Sequence, residues 1–368
     1  MDSDFDNNKK LVFEANRRRL ALECSPSQSH FRVFAFLIVE DSKGTYHQIE
    51  GTNSEPGYIG GSICAERSAI LRLRFLHGPK LKKVVIVSDH REPILPGALC
   101  REYMTSVASE NLDIIMGNCD GDKIATCKLS ELFPQPYLYR TVGRDEVLSL
   151  AQEYSAVIDD PSTTESEWGR VFTTAKALTS GDKAVALHPL KLAAAVSFSD
   201  GTIEGAWQLK GSEYGCSLDP VSQLAGIMLR RCSSNSFVSC SSTSVGTSIS
   251  ICPSCGCCKD CISNDSASNS TSNSTFAVAP ADKIGSETDD ARSDAQQRPS
   301  ARPLLLVMVD QFGVAHAPFA QARALLGEYG FGDDLVGIHD INGRFVTVTA
   351  ASLLPSPPGC TLLSHDNF

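Results

Sequence analysis

The sequence has no apolar run long enough to cross a bilayer as a helix; its longest, such as LLLVMV at 304–309, have the length of a buried strand. The opening MDSDFDNNKK lacks the apolar stretch of a secretory leader, so a cytoplasmic location with reduced thiols is expected. Positive charge is short as well. Lys plus Arg number 33 against 43 Asp plus Glu, a net charge of −10, and charge-driven binding to nucleic acid needs clustered Lys and Arg instead. A small uncharged ligand meets no such obstacle. G-x-G-x-x-G, Walker A and G-x-S-x-G patterns are all missing, which removes the ordinary dinucleotide, P-loop and serine-hydrolase readings.

What is present is core-forming material. The 368 residues are 42% hydrophobic and 21% charged, enough for two or three domains. FRVFAFLIVED (31–41) reads as a strand, CAERSAILRLRFLHG (64–78) as a helix stopped at Gly78-Pro79, and LKKVVIVSD (81–89) as a strand. A second helix follows Pro96 and a further strand covers LDIIMG (112–117). The order is α/β, with helices laid across a mixed sheet.

The same order recurs. KLAAAVSFSDGTIEG (191–205) follows the pattern of 31–51, LLLVMVD (304–310) that of VVIVSD, and PFAQARALLGEYG (318–330) that of PGALCREYMTSVA. Two tandem copies are expected, 1–141 and 181–368, joined by a helical connector at 142–180. Serine-rich 231–300 breaks the second copy as a low-complexity insert. Seven of the 14 cysteines lie between Cys232 and Cys261; the CPSC and CKDC pairs there could hold a metal, although their spacing is tighter than in common zinc knuckles. The basic run Arg72, Arg74, Lys80, Lys82 and Lys83 reads as a solvated face, because no aromatic side chains interleave with it.

Chemistry concentrates in the first copy. GTNSE (51–55) follows a strand, while GGSICAER (60–67) and LPGALCRE (95–102) each open a helix. Cys64 and Cys100 therefore fall in first turns, where a helix N-terminus favours the thiolate that a metal binds. Glu66 is close enough to serve a metal-activated water as acid and base.

These residues resemble the cytidine deaminase family, whose signatures combine Asn-x-Glu, Cys-Ala-Glu-Arg and Pro-Cys-x-x-Cys-Arg; the likeness runs over most of residues 20–137. It implies a three-layer α/β/α sandwich with a mixed sheet, present here as two tandem copies. It also implies zinc as cofactor, held by Cys64 and Cys100, with Glu66 as the catalytic proton shuttle. Asn53 and Glu55 would bind the ribose of a pyrimidine nucleoside, Phe31 and Ala65 would line its site, and Arg67 and Arg101 would support the thiolates. The reaction implied is hydrolytic deamination of cytidine or deoxycytidine, in pyrimidine salvage. The larger family members fuse a catalytic domain to a decayed copy and pair as homodimers, which is the assembly expected here.

Some positions depart from the pattern. Gly97 stands where the family has a cysteine, so two thiolates should hold a metal more weakly unless a nearby group substitutes; His90 is the expected substitute, with Asp89 and Cys119 behind it. Phe34 replaces a glycine, and Tyr58 sits one place early. In the second copy the chemical residues are gone: Gln208-Leu209-Lys210, Asp219-Pro220-Val221 and Pro318 to Arg323 stand in their places. That copy reads as structural. The alternative for the whole chain is a catalytically inactive, deaminase-like protein acting as a nucleoside-binding or protein-interaction module.

Overall fold

A computed structural model describes residues 2–22, 25–57, 59–139, 144–155, 166–212, 217–232 and 301–356. Tyr58 and nearly all of the serine- and cysteine-rich stretch, with its CPSC and CKDC pairs, lie outside these residues.

The first sheet contains β1 (Val33–Glu40), β2 (Tyr46–Thr52), β3 (Lys80–Ser88), β4 (Asp113–Gly117) and β5 (Ile124–Lys128), in the order β2-β1-β3-β4-β5. Only β3 and β4 run parallel; the other neighbours are antiparallel. Strand alternation sorts β1 between two faces. Ala35, Leu37 and Val39 join the core under α2 (Ala65–Ile70), α3 (Ala98–Val107) and α4 (Leu129–Leu132). Phe34 and Phe36 face the other way, packing with Val12 and Ala15 of α1 (Asp2–Leu20). The space demanded by Phe34 is thus found beneath α1, on the sheet face opposite the thiol-bearing helices. The helix expected over 64–78 is shorter than its pattern, since residues Leu71–Phe75 tighten into a 3-10 turn.

The second sheet repeats the plan. Its strands are β6 (Leu192–Phe198), β7 (Ile203–Trp207), β8 (Pro303–Asp310), β10 (Leu335–His339) and β11 (Phe345–Thr349), ordered β7-β6-β8-β10-β11, with β9 (Ala315–His316) added against β8. Here too a single pair, β8 and β10, is parallel. One face is covered by α7 (Pro220–Cys232), α8 (Ala320–Glu328) and α9 (Ala350–Leu353). In the stretch expected as a connector, α5 (Arg144–Ser155) is followed by α6 (Glu167–Leu178), which covers the other face through Val171, Phe172 and Ala175. It takes the place on this sheet that α1 takes on the first. The chain is therefore two α/β/α sandwiches in tandem. They meet where α3 packs on α8, and Ala320 and Leu354 of the second copy complete the core of the first.

Gly51 on β2 sets the position of α2. A Cβ there would stand 2.3 Å from the Ala65 carbonyl oxygen and 2.5 Å from the Ala69 nitrogen, so the helix backbone lies directly on the strand. Gly51→Ala forces that backbone away, and a loss of about 1–3 kcal/mol is expected in denaturant unfolding. Unchanged stability would show that the helix is not pressed on the strand.

Candidate active site

Cys64 is the N-cap residue of α2, in extended conformation at φ −69° and ψ 156°, and Cys100 lies in the first turn of α3 behind its N-cap Gly97. Each helix follows a strand of the same sheet, so both first turns open at one edge of the core. There the sulfurs of Cys64 and Cys100 and a carboxylate oxygen of Glu66 all come within 4.8 Å of one another, the one such cluster of His, Cys, Asp and Glu among the described residues. A cavity of about 240 Å³ adjoins it, lined by Phe31, Asn53, Glu55, Cys64, Glu66 and Gly97 among others, including Ala65.

The electrostatics follow from the burial. The hydrogen bond from Cys100 holds the Cys64 thiol down to about 6, helped by Arg67, whose guanidinium lies 3.7 Å from the Cys64 sulfur and also donates to the Ser62 carbonyl. Cys100 keeps its proton, because a second thiolate beside Cys64 in a buried site is unfavourable. Glu66 is pushed up to about 7, first by burial and then by the negative charge of Cys64. A carboxyl poised there can both take and give a proton near neutral pH.

Also on the cavity wall, Asn53 ties the chain together. Its carboxamide accepts from the Val33 nitrogen at 2.9 Å and donates to the Phe31 carbonyl at 2.8 Å. Glu55 accepts from the Ser29 nitrogen and hydroxyl, each at 2.8 Å, and these bonds keep its carboxyl below the usual range. Ser29 therefore holds Glu55, a role the spacing of the motifs did not reveal.

His90, the expected third ligand, is not brought to this cluster. Its Nδ1 is engaged by the backbone of Glu92 on its own turn, and it is absent from the cavity wall. Asp89 is bound by Arg19 and Arg32, and Cys119 is not part of the cluster either. Nearness in sequence misleads here because the turn after β3 is drawn back toward α1 by Arg19. Arg101 is fully buried and donates to the carbonyls of Pro96 and Leu132 in its own copy and of Pro355 and Ser356 in the second.

The second copy gives a direct comparison. The isolated bridge Ser54–Ile63 is matched by Leu209–Leu218, which makes Lys210 the counterpart of Glu55 and Asp219 the counterpart of Cys64. Lys210 is buried in an ion pair with Asp182 and donates to the carbonyls of His188 and Leu190. Asp219 caps α7 by accepting from the nitrogens of Val221 and Ser222. Phe319 is the N-cap of α8, the place Gly97 takes on α3. These residues keep the fold and hold one another.

A larger groove of about 910 Å³ lies between the 3-10 turn and the end of α3, lined by Leu71, Arg74, Lys80, Lys82 and Tyr103 among others. It contains none of the clustered thiols, and Lys82 is paired with Glu40.

No family model matches the sequence. Among curated proteins it is 30% identical over 106 residues to a cytidine deaminase of Halalkalibacterium halodurans, covering 29% of this chain and 76% of that protein. A cytidine deaminase of Sporosarcina psychrophila is 28% identical over 127 residues, 34% of this chain and 88% of its own length. Similar solved structures include the cytidine deaminase of Burkholderia pseudomallei, with TM-score 0.30, 23% identity and coverage of 34% of this chain and 96% of that one. That of Mycobacterium leprae has TM-score 0.28, 24% identity and coverage of 36% and 98%. The fold and its cluster define an α/β/α sandwich with a paired-thiol and carboxylate centre. By its identity to the first relative over most of that protein's length, the chain belongs to the cytidine deaminase family.

In metal-free protein, alkylation of Cys64 by iodoacetamide should remain fast at pH 7 and fall as pH drops through about 6, since only the thiolate reacts. Arg67→Gln should move that midpoint upward. A Cys64 midpoint near the ordinary thiol value would contradict the pairing described.

Proposed function

We propose that the chain is a zinc-dependent hydrolytic deaminase of cytidine or deoxycytidine, with its site in the first copy. The observation that carries this reading is the cluster of Cys64, Glu66 and Cys100, of which Cys64 and Glu66 line a cavity that also meets Asn53, Glu55 and Phe31. The donor set suits zinc. Two sulfurs that otherwise share a proton can both ionise beside a divalent cation, and a Cβ on Gly97 would meet nothing within 4 Å, so space remains for a further ligand.

Cys64 and Cys100 hold the metal in this proposal, and zinc would supply Lewis-acid activation of water. Glu66 takes one proton from the water and returns it to the ring nitrogen N3, then carries the second from the added hydroxyl to the leaving amino group. Water oxygen adds at C4 of the cytosine ring and ammonia departs, so that cytidine and water give uridine and ammonia. Arg67 offsets the charge on Cys64. Glu55 and Asn53 receive the ribose and Phe31 the base, while Ala65 lines the wall between them. His90 has no part in this reading.

The second copy, with α6 as one of its layers, serves the fold and a homodimer in a cytoplasmic protein of pyrimidine salvage. No helix among the described residues is long and apolar enough to cross a membrane. One observation favours a second reading, a nucleoside-binding or protein-interaction module without turnover: the glycine at position 97 leaves two cysteines where the family pattern has three.

Two variants separate these readings. Glu66→Gln should lower kcat on cytidine by roughly 10²–10⁴-fold with little change in Tm; equal turnover sinks the mechanism, and no turnover in the parent favours the second reading. Gly97 has φ −61° and ψ 157°, open to any residue, so Gly97→Cys should fold. It should bind zinc roughly tenfold more tightly or better, measured against a competing chelator. Weaker binding would show that the cluster does not accept the metal as drawn.

A further inference from the structure

The arginine that follows Cys100 is matched in the second copy, although the neighbouring thiol is not. Arg101 donates through Nε to the Pro96 carbonyl at 2.8 Å and through Nη1 to Leu132 at 3.0 Å. It then crosses to the second copy, reaching the carbonyls of Pro355 at 2.9 Å and Ser356 at 2.7 Å. Arg323 does the same in reverse. It donates to Pro318 at 2.6 Å and Leu353 at 2.8 Å in its own copy, and to Pro134 at 2.8 Å and Gln135 at 2.5 Å in the first. Gln135 and Ser356, the far acceptors, both adopt positive φ, 50° and 51°. That left-handed conformation is uncommon for such residues and costs free energy. Its recurrence at the same place in both copies gives it a purpose, since it turns each carbonyl toward the other copy's guanidinium.

The clamp touches the site directly. Pro96 precedes Gly97, the N-cap of α3, and Arg101 itself occupies the turn after Cys100. Its bonds fix the first turn of α3 to the turn before it, to the end of α4, and to the tail turn of the second copy. The acceptors named for Arg101 are backbone carbonyls, and its side chain is buried.

We propose that Arg101 and Arg323 are positioning residues through which the second copy fixes the end of α3 that bears Gly97 and Cys100. The first-copy site is then incomplete without the tail turn at Pro355 and Ser356. The catalytic consequence rests on the function proposed above; the positioning does not.

Ser356 is exposed, so its backbone can be altered without opening a core. Ser356→Pro locks φ near −65° and swings the carbonyl from Arg101, whereas Ser356→Gly accepts positive φ. Ser356→Val, disfavoured at positive φ, supplies a milder second variant. In the full chain, amide hydrogen exchange of residues 98–101 and zinc affinity against a chelator are measured together with Tm. The proline variant should exchange about tenfold faster there and bind zinc about tenfold more weakly, with the valine variant shifted the same way and the glycine variant within twofold of the parent. Unchanged exchange in the proline and valine variants overturns the proposal. Faster exchange with unaltered zinc affinity also overturns it, because the clamp then holds the fold and not the site. If no variant binds zinc, the parent included, the functional reading fails while the exchange result still decides the positioning.

Discussion

A guanidinium buried without partners is costly, and Arg101 and Arg323 draw theirs from both copies. Each is held by carbonyls of its own copy and of the other. The constraint accounts for several features together: the packing of α3 on α8, the left-handed turns at Gln135 and Ser356, and the entry of Ala320 and Leu354 into the first core. An arginine in that position reads in sequence as a surface charge or a companion of the thiols. In the folded chain it joins two sandwiches.

Within that frame the two copies show what the chemistry requires beyond the fold. Sheet order and helix placement are shared, yet one copy sets Cys64 and the buried carboxyl of Glu66 against a cavity, with the Cys100 thiol clustered beside them, while the other fills the equivalent positions with an ion-paired lysine and a helix-capping aspartate. Asp219 turns toward its own helix and Lys210 toward Asp182. In the first copy the crowding is left unresolved among protein groups alone, with one thiol ionised at the expense of its neighbour and a carboxyl held near neutrality. Such opposed shifts gathered at a cavity are typical of sites where a ligand or a proton must be handled.

Much of this was legible in the sequence because strand alternation and the internal repeat are properties of spacing. The α/β order, the two tandem copies and the places of Cys64 and Cys100 in helix first turns follow from it, while the sandwich and the metal role came with the family resemblance. Other parts depended on contacts that spacing does not encode. Helix α1 is largely polar, and its inward face includes the buried Arg19, so no apolar period announced it. His90 seemed available by sequence distance, but Arg19 and Arg32 hold the preceding aspartate and the turn closes on itself. Phe34 faces α1 beneath the sheet, a side fixed by register. Strand β9 is only two residues long, below what periodicity can signal.

The central claim is that the first copy's paired thiols form a zinc centre. Elemental analysis of the purified full chain, beside a Cys64→Ser/Cys100→Ser double variant, tests it most directly. About one chelator-sensitive zinc per chain, lost in the double variant, is the result the account predicts. Zinc kept by the double variant, or absent from the parent, would contradict it.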